Sequence, residues 1–261
     1  MSMSSPERSS GGSLSRPLDL ATRRTARIAG VWWVLTFITS IPALLLYDPL
    51  LNDANFILSA GADTRIQVGA FLEVLLAISG VATAAVMYPI LKRQSESISL
   101  GYVACRTVES TIILVGVVSV LSVVTLRDDL AADAAGLGTV GQSLVAVHDA
   151  TFLLGPAFCA GFGNGLLLGY LMYRSGLVPR RMALLGLIGG PLSLIGATAV
   201  LFGAWEQTSG TQFLFTVPEI LWEASLGIYL IVKGFKTTSP VLEHGRKSAT
   251  DEAFSPTVAA G

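Results

Sequence analysis

The chain has 261 residues, of which 52% are hydrophobic and only 13% are charged. A soluble domain carries roughly 25% charged residues, so this composition favours a protein that crosses a membrane several times. The formal net charge of -1 argues against the dense basic surface that nucleic-acid binding needs, and we therefore expect no nucleic-acid partner.

Six apolar segments follow one another along the chain, each long enough to cross a bilayer as a helix. They lie at about 26–47, 68–91, 98–126, 144–172, 182–205 and 213–232. Residues 1–22 and 237–261 are polar and predict disordered cytoplasmic tails on either side of one transmembrane domain at 23–236. The predicted fold is an all-α bundle of six transmembrane helices.

The first segment could instead be a cleaved leader, because Arg23 and Arg24 precede it. Its apolar stretch is long for a signal peptide and no small-x-small cleavage pattern stands out, so we interpret it as an uncleaved helix. In the loop that follows, residues 48–67 carry Phe56 and Ile57 behind polar residues. This pattern predicts a short helix on the bilayer surface.

Basic residues alternate from loop to loop. They precede the first segment and follow the second, fourth and sixth, whereas the other loops hold only Arg65 and Arg127. Because cytoplasmic loops of membrane proteins are rich in lysine and arginine, this pattern predicts that both termini are cytoplasmic. That orientation requires an even number of spans, and the six predicted spans meet this requirement.

The fourth segment begins with His148 and Asp149, and Gly161, Gly165 and Gly169 then recur every fourth residue. Glycines at this spacing share one helix face and let another backbone approach closely. We expect them to mediate packing within this chain, with self-association the less favoured alternative and the oligomeric state open. Adjacent helix residues point about 100° apart, so His148 and Asp149 cannot easily bind one ion, and no metal site is expected.

Seven ionisable residues lie inside the predicted spans and form the candidate site. They are Glu73, Arg106, Glu109, His148, Asp149, Glu219 and Glu223. A charge near the bilayer centre costs about 2.5–3.5 kcal/mol, so residues of this kind usually face the bundle interior and find partners. If all five acids and Arg106 were ionised, 5 - 1 = 4 negative charges would stay uncompensated. Water or a cation must therefore enter, or some carboxyls stay protonated, with the Glu219 and Glu223 pair best placed to share a proton.

These residues leave three interpretations open. In the first, the protein is a small transport or binding protein that responds to a proton, a cation or a small-molecule ligand. In the second, it is a structural or accessory membrane protein in which Arg106 is a static clamp. The third, an intramembrane enzyme, is the least favoured, because no Gly-x-Ser-x-Gly elbow, phosphate loop or dinucleotide fingerprint occurs and no cofactor is expected.

Three longer stretches carry a family resemblance: HDATFLLGP at 148–156, GNGLLLGYLMYRSGLVPR at 163–180 and PEILWEASLGIYLIVKGF at 218–235. The chain resembles, over about residues 23–235, the bacterial membrane-protein family known as domain of unknown function 4386. The resemblance implies a multi-span helical membrane protein of bacteria, and it supplies no activity, ligand or catalytic residue. With the orientation above, the expected location is the bacterial inner membrane.

Overall fold

The computed structural model of the protein describes residues 12–53, 55–59, 61, 63–128 and 134–243. All regular structure in these residues is helical, as expected where apolar segments must satisfy their backbone hydrogen bonds internally. Six stretches are long and apolar enough to cross a membrane: Leu20–Leu46, Asp63–Leu91, Glu96–Arg127, Gly136–Ser175, Arg180–Leu201 and Gly210–Val232. The prediction of an all-α protein with six spans is confirmed.

The helices in chain order are α1 (Gly12–Leu46), α2 (Asp48–Asn52), α3 (Asp63–Leu91), α4 (Glu96–Asp128), α5 (Ala134–Phe152), α6 (Gly169–Ser175), α7 (Arg180–Leu201) and α8 (Gly210–Val232). A 3-10 turn at Phe56–Leu58 follows α2. Between α5 and α6 the chain continues through two π-helical segments, Leu153–Cys159 and Gly161–Leu168, so that Gly136–Ser175 forms one continuous fourth span.

The helix ends differ in places from the predicted bounds. Helix α1 begins at Gly12, within the predicted N-terminal tail, and α5 begins ten residues before the predicted fourth segment. At the other end of the chain, residues 236–243 pack against the bundle, where Ser239 Oγ donates to the Ser175 carbonyl at 2.7 Å and the Lys236 amide donates to the Leu177 carbonyl at 2.8 Å. Residues 1–11 and 244–261, which were also predicted as tails, lie outside the described residues.

The π-helical geometry of the fourth span was not predicted. A π-helix usually occurs as a single turn inside an α-helix, and here two segments follow one another. Pro156 lies in the first segment, where its nitrogen cannot donate a backbone hydrogen bond. The second segment holds three glycines in its first five residues, Gly161, Gly163 and Gly165.

The six spans pack in a closed ring. Going round it, α1 contacts α3, α3 contacts α4, α4 contacts the fourth span, the fourth span contacts α7, α7 contacts α8, and α8 returns to α1. Such a ring encloses a central space that every span can reach. Any polar group at the centre is therefore shared among several helices.

Two apolar cores lie at opposite ends of this ring. One is at the basic end, the end at which α1 begins and α8 ends, and includes Met87, Leu171 and Leu230. The other is at the far end, where α1 ends and α8 begins, and includes Leu50, Ile57 and Val120. On α3, α4 and the fourth span, Glu73, Arg106, Glu109 and His148 lie between the positions that belong to these two cores. The middle of the bundle is therefore a polar layer.

The three glycines of the fourth span all face α7. A methyl group on Gly161 would lie 3.2 Å from the Gly190 carbonyl oxygen, and one on Gly169 would lie 3.2 Å from the Leu187 nitrogen. A methyl group on Gly165 would overlap the Gly190 backbone itself. The fourth span and α7 therefore approach as closely as two backbones can, which requires glycine on both helices.

We predict that Gly165→Ala lowers the free energy of unfolding by about 1–3 kcal/mol, because the new methyl group forces the two backbones apart. Gly138→Ala is the matched control, because it lies in α5 with open space around it. It should be neutral or stabilise the protein by up to about 1 kcal/mol, since alanine favours a helix. Equilibrium unfolding in detergent micelles measures both, and equal effects would contradict the close approach.

Candidate functional site

The structure separates the seven candidate residues into two buried groups and one exposed side chain. Glu73 and His148 lie together toward the far end, and Asp149 is exposed. The remaining four line a cavity in the middle of the bundle: Arg106, Glu109, Glu219 and Glu223. The seven residues therefore do not form a single site.

The first group, called here the histidine group, consists of Tyr47, Glu73 and His148, all buried. The Tyr47 hydroxyl donates to Glu73 Oε2 at 3.0 Å, and His148 Nε2 lies 3.6 Å from Glu73 Oε1. Glycines make room for the two rings: that of Tyr47 lies against Gly69, and that of His148 lies against Gly116. The group thus joins the end of α1, α3 and the fourth span.

Tyr47 follows directly after the first span. Burial raises the pKa of its phenol above the ordinary value, and the neighbouring Glu73 carboxylate raises it further. The phenol therefore stays protonated around neutral pH and acts as a donor to Glu73.

Asp149 has a different environment from His148, its neighbour in sequence. Its side chain is 61% exposed, and its Oδ1 lies 3.9 Å from His148 Nδ1. The Asp149 carbonyl accepts a hydrogen bond from Gln207 Nε2 at 3.4 Å. Asp149 therefore lies at the surface of the far end, outside the cavity.

Arg106 ties three spans together. Its side chain, which is 4% exposed, donates from Nη1 to Glu109 Oε2 at 2.7 Å and from Nε to the Gly80 carbonyl of α3 at 3.2 Å. Its guanidinium also lies 5.3 Å from the centroid of the Trp33 ring on α1, within the range of a cation–π contact. Gly80 leaves the space that the guanidinium occupies.

Glu219 and Glu223 lie one turn apart on α8 and differ in their partners. Glu223 Oε1 accepts a hydrogen bond at 2.6 Å from Nδ2 of Asn164, a fully buried residue of the fourth span. Glu219 is only 4% exposed, and neither of its carboxyl oxygens has a hydrogen-bond partner among the residues that the structure describes. Its carboxyl group lies against Gly165. Burying a carboxyl group without hydrogen-bond partners costs free energy.

The cavity beside these residues has a volume of about 310 Å³, and all six spans contribute to its lining. Small-molecule sites in proteins have volumes of about 300–1,000 Å³, so it lies at the small end of that range. Most of its wall is apolar and includes Phe37, Leu76, Ile113 and Phe152. Its ionisable groups are the four named above.

The cavity opens between α1 and α8. Ile41 of α1 and Ile220 of α8 both line it, and they are 57% and 37% exposed. Closer to the basic end the same two helices are in tight contact, because Gly30 packs against the Gly227 carbonyl and Ile231. The gap between α1 and α8 therefore occurs only in the half of the bundle toward the far end, and apolar side chains flank it.

The donor set does not fit a metal centre. Within the described parts of the chain, no three His, Cys, Asp or Glu side chains are grouped to hold a metal ion. The two cysteines, Cys105 and Cys159, are free. The ionisable side chains that line the cavity are three carboxyl groups and one guanidinium.

Two important side chains were missed from the sequence, Tyr47 and Asn164. From the sequence alone, Tyr47 is interpreted as an aromatic residue at a membrane interface. Its partner Glu73 is 26 residues away in the chain, so the sequence does not show that the two side chains meet. A usable signal was Gly69, one helical turn before Glu73, which provides space for a ring. Asn164 was the only amide in a long apolar stretch, and a buried amide in a membrane helix needs a partner.

We predict that Tyr47→Phe lowers the free energy of unfolding by about 0.5–1.5 kcal/mol at pH 7, because Glu73 loses its donor. A phenol whose pKa is raised by folding contributes stability that is present below about pH 10 and is lost above it. The difference between wild type and Tyr47→Phe should therefore shrink as the pH rises from 10 to 12. Tyr170→Phe, at an exposed tyrosine, is the control and should have no effect. A difference that grows with pH would contradict the assignment.

Comparison with known proteins gives one family and no closer relative. No curated protein and no solved structure matches the chain. A family match does occur over residues 28–234, which include all the buried ionisable residues of both groups. The chain therefore belongs to the family described as domain of unknown function DUF4386.

Proposed function

We propose that this protein is a membrane transport or binding protein that holds an exchangeable proton or cation at Glu219. The single observation that carries the proposal is the environment of Glu219: its carboxyl group is buried, has no hydrogen-bond partner in the described structure and lines the central cavity. An ionised carboxyl group in this position needs a positive charge, and a neutral one needs a proton.

The other ionisable groups of the cavity each have a partner. Arg106 and Glu109 form an ion pair at 2.7 Å and cancel each other's charge. Glu223 receives a hydrogen bond from Asn164. Glu219 is the acid of the cavity without a partner in the described structure, so we assign the exchangeable charge to it. Because Glu223 lies one turn away, a negative charge on either carboxyl group disfavours a second one on the other.

The proposal includes an orientation and a location. The basic end carries the clustered arginine and lysine residues, such as Arg23, Arg180 and Lys233, which supports a cytoplasmic position for both termini. In a bacterial inner membrane the cavity then opens in the outer half of the bilayer. The histidine group lies on the same outer side.

The alternative function, a structural or accessory protein with static ion pairs, is favoured by one observation. Arg106 has bonds to α3 and α4 and a cation–π contact with α1, as expected for a clamp that fixes helix positions. This account explains Arg106 and Glu109. It does not explain Glu219, which has no partner to clamp.

Thermal unfolding of the purified protein in nanodiscs between pH 5 and pH 9 tests the proposal. The wild type should lose stability as the pH rises, because an unpaired buried carboxylate is costlier than a neutral carboxyl group. Glu219→Gln should be at least as stable as wild type at pH 9 and should have a flatter profile. Glu206→Gln removes a glutamate from an exposed loop position and is the matched control, with the wild-type profile expected.

The static account makes the opposite prediction for the same variant. If Glu219 were part of a fixed network, Glu219→Gln would destabilise the protein at every pH. A variant that is destabilised throughout, or whose profile has the same shape as that of wild type, would overturn the proposed exchange at Glu219.

A further inference from the structure

The hydrogen-bonding character of the cavity restricts what can bind there. The hydroxyl groups of Thr36, Ser193 and Thr216 line it, and each donates its proton to a backbone carbonyl, those of Trp33, Ala157 and Gln212 respectively. A hydroxyl that has donated its proton presents only acceptor lone pairs to its other neighbours. Thr216 Oγ1 also accepts a hydrogen bond from Gln212 Nε2 at 3.3 Å, which leaves it one acceptor position. The three side chains together therefore still offer acceptors to a ligand.

The carboxyl group of Glu219 adds two more acceptor positions to the same cavity. The only cationic side chain there, Arg106, already donates to Glu109 and to the Gly80 carbonyl. Apart from the Ser40 hydroxyl, which can donate one hydrogen bond, the polar part of the cavity has an excess of acceptors, and its three carboxyl groups outnumber its one guanidinium. It is complementary to a ligand that donates several hydrogen bonds and carries a positive charge, as an ammonium group does.

The rest of the wall requires an apolar ligand body. Phe37, Leu76, Ile113 and Phe152 are among the apolar side chains that line the cavity. A bare metal ion would leave this surface without a partner. A hydrocarbon group of a few carbons would cover it, and its burial would add favourable free energy.

The opening between α1 and α8 fits the same class of ligand. It is flanked by Ile41 and Ile220, so the route into the cavity passes between apolar side chains at the lipid-facing surface. An amphipathic amine concentrates at the bilayer interface, where its charge stays near water and its hydrocarbon part is buried. It can approach such an opening from within the membrane.

From these four features we infer that the cavity binds a small amphipathic amine, with the ammonium group on Glu219 and the hydrocarbon group against the apolar wall. The inference rests on the proposed function, because it names the class of cation that exchanges at Glu219. When the protonated amine binds a neutral Glu219, the carboxyl proton is released to water and the ion pair replaces it. One positive charge enters the cavity and one leaves.

The test uses the full chain in phosphatidylcholine nanodiscs, with hexylammonium as the probe and hexanol as its neutral counterpart. Binding is read from the concentration dependence of the unfolding temperature, corrected with empty nanodiscs. In wild type, hexylammonium should bind at least about tenfold more tightly than hexanol, because hydrogen bonds to charged groups are the strong ones. Glu219→Gln should weaken hexylammonium binding at least about tenfold and leave hexanol binding unchanged.

Two further variants guard against an indirect effect. Thr216→Val keeps the shape of the side chain and removes one acceptor, so it should weaken hexylammonium about threefold without affecting hexanol. Glu206→Gln removes an exposed negative charge outside the cavity and should bind both probes as wild type does.

Failure of this inference and failure of the proposed function give different results. Equal binding of the two probes, or unchanged hexylammonium binding by Glu219→Gln, overturns the amine assignment. If the pH profile of stability still depends on Glu219 in that case, exchange at Glu219 stands with another cation or a proton alone. If that dependence is also missing, both proposals are wrong.

Discussion

Arg106 lies in the middle of the bundle, between the two apolar cores, and its guanidinium group contacts three spans at once. It pairs with Glu109 on its own helix, donates to the Gly80 carbonyl of α3 and lies over the Trp33 ring of α1. Breaking a buried pair of this kind typically costs about 3–5 kcal/mol, because the remaining charge is left without a partner. The positions of α1, α3 and α4 around the cavity therefore depend on this one side chain, and with them the wall that faces Glu219.

Glycine is what allows a polar layer to fit inside a tightly packed bundle. Four of the seven side chains of the two groups lie against one: Tyr47 against Gly69, Arg106 against Gly80, His148 against Gly116 and Glu219 against Gly165. In a membrane, helices associate through close packing and hydrogen bonds and not through exclusion of water. Where a glycine faces a polar side chain, the two helix backbones can pack closely. The polar side chain still has room to make its hydrogen bonds. Of these four, only Glu219 has neither a hydrogen bond nor an ion-pair contact in the described structure.

Hydropathy and charge were enough to predict the number of spans, because the thickness of the bilayer fixes the length of each apolar segment. The division between the histidine group and the cavity could not be predicted, since it depends on how each helix is rotated and on the order of the spans in the ring. For the same reason Asp149 was grouped with His148, although it faces outward. The π-helical part of the fourth span has no sequence rule behind it, because glycine and proline there are equally compatible with an ordinary kink.

The central claim is that Glu219 carries the exchangeable charge of the cavity. Difference infrared spectroscopy of the protein in nanodiscs at pH 7, before and after addition of hexylammonium, measures this directly through the carbonyl band of a protonated carboxyl group. The account predicts that this band decreases when the amine binds to wild type, as Glu219 gives up its proton, and that Glu219→Gln shows no such change. An identical difference spectrum for wild type and Glu219→Gln would contradict it.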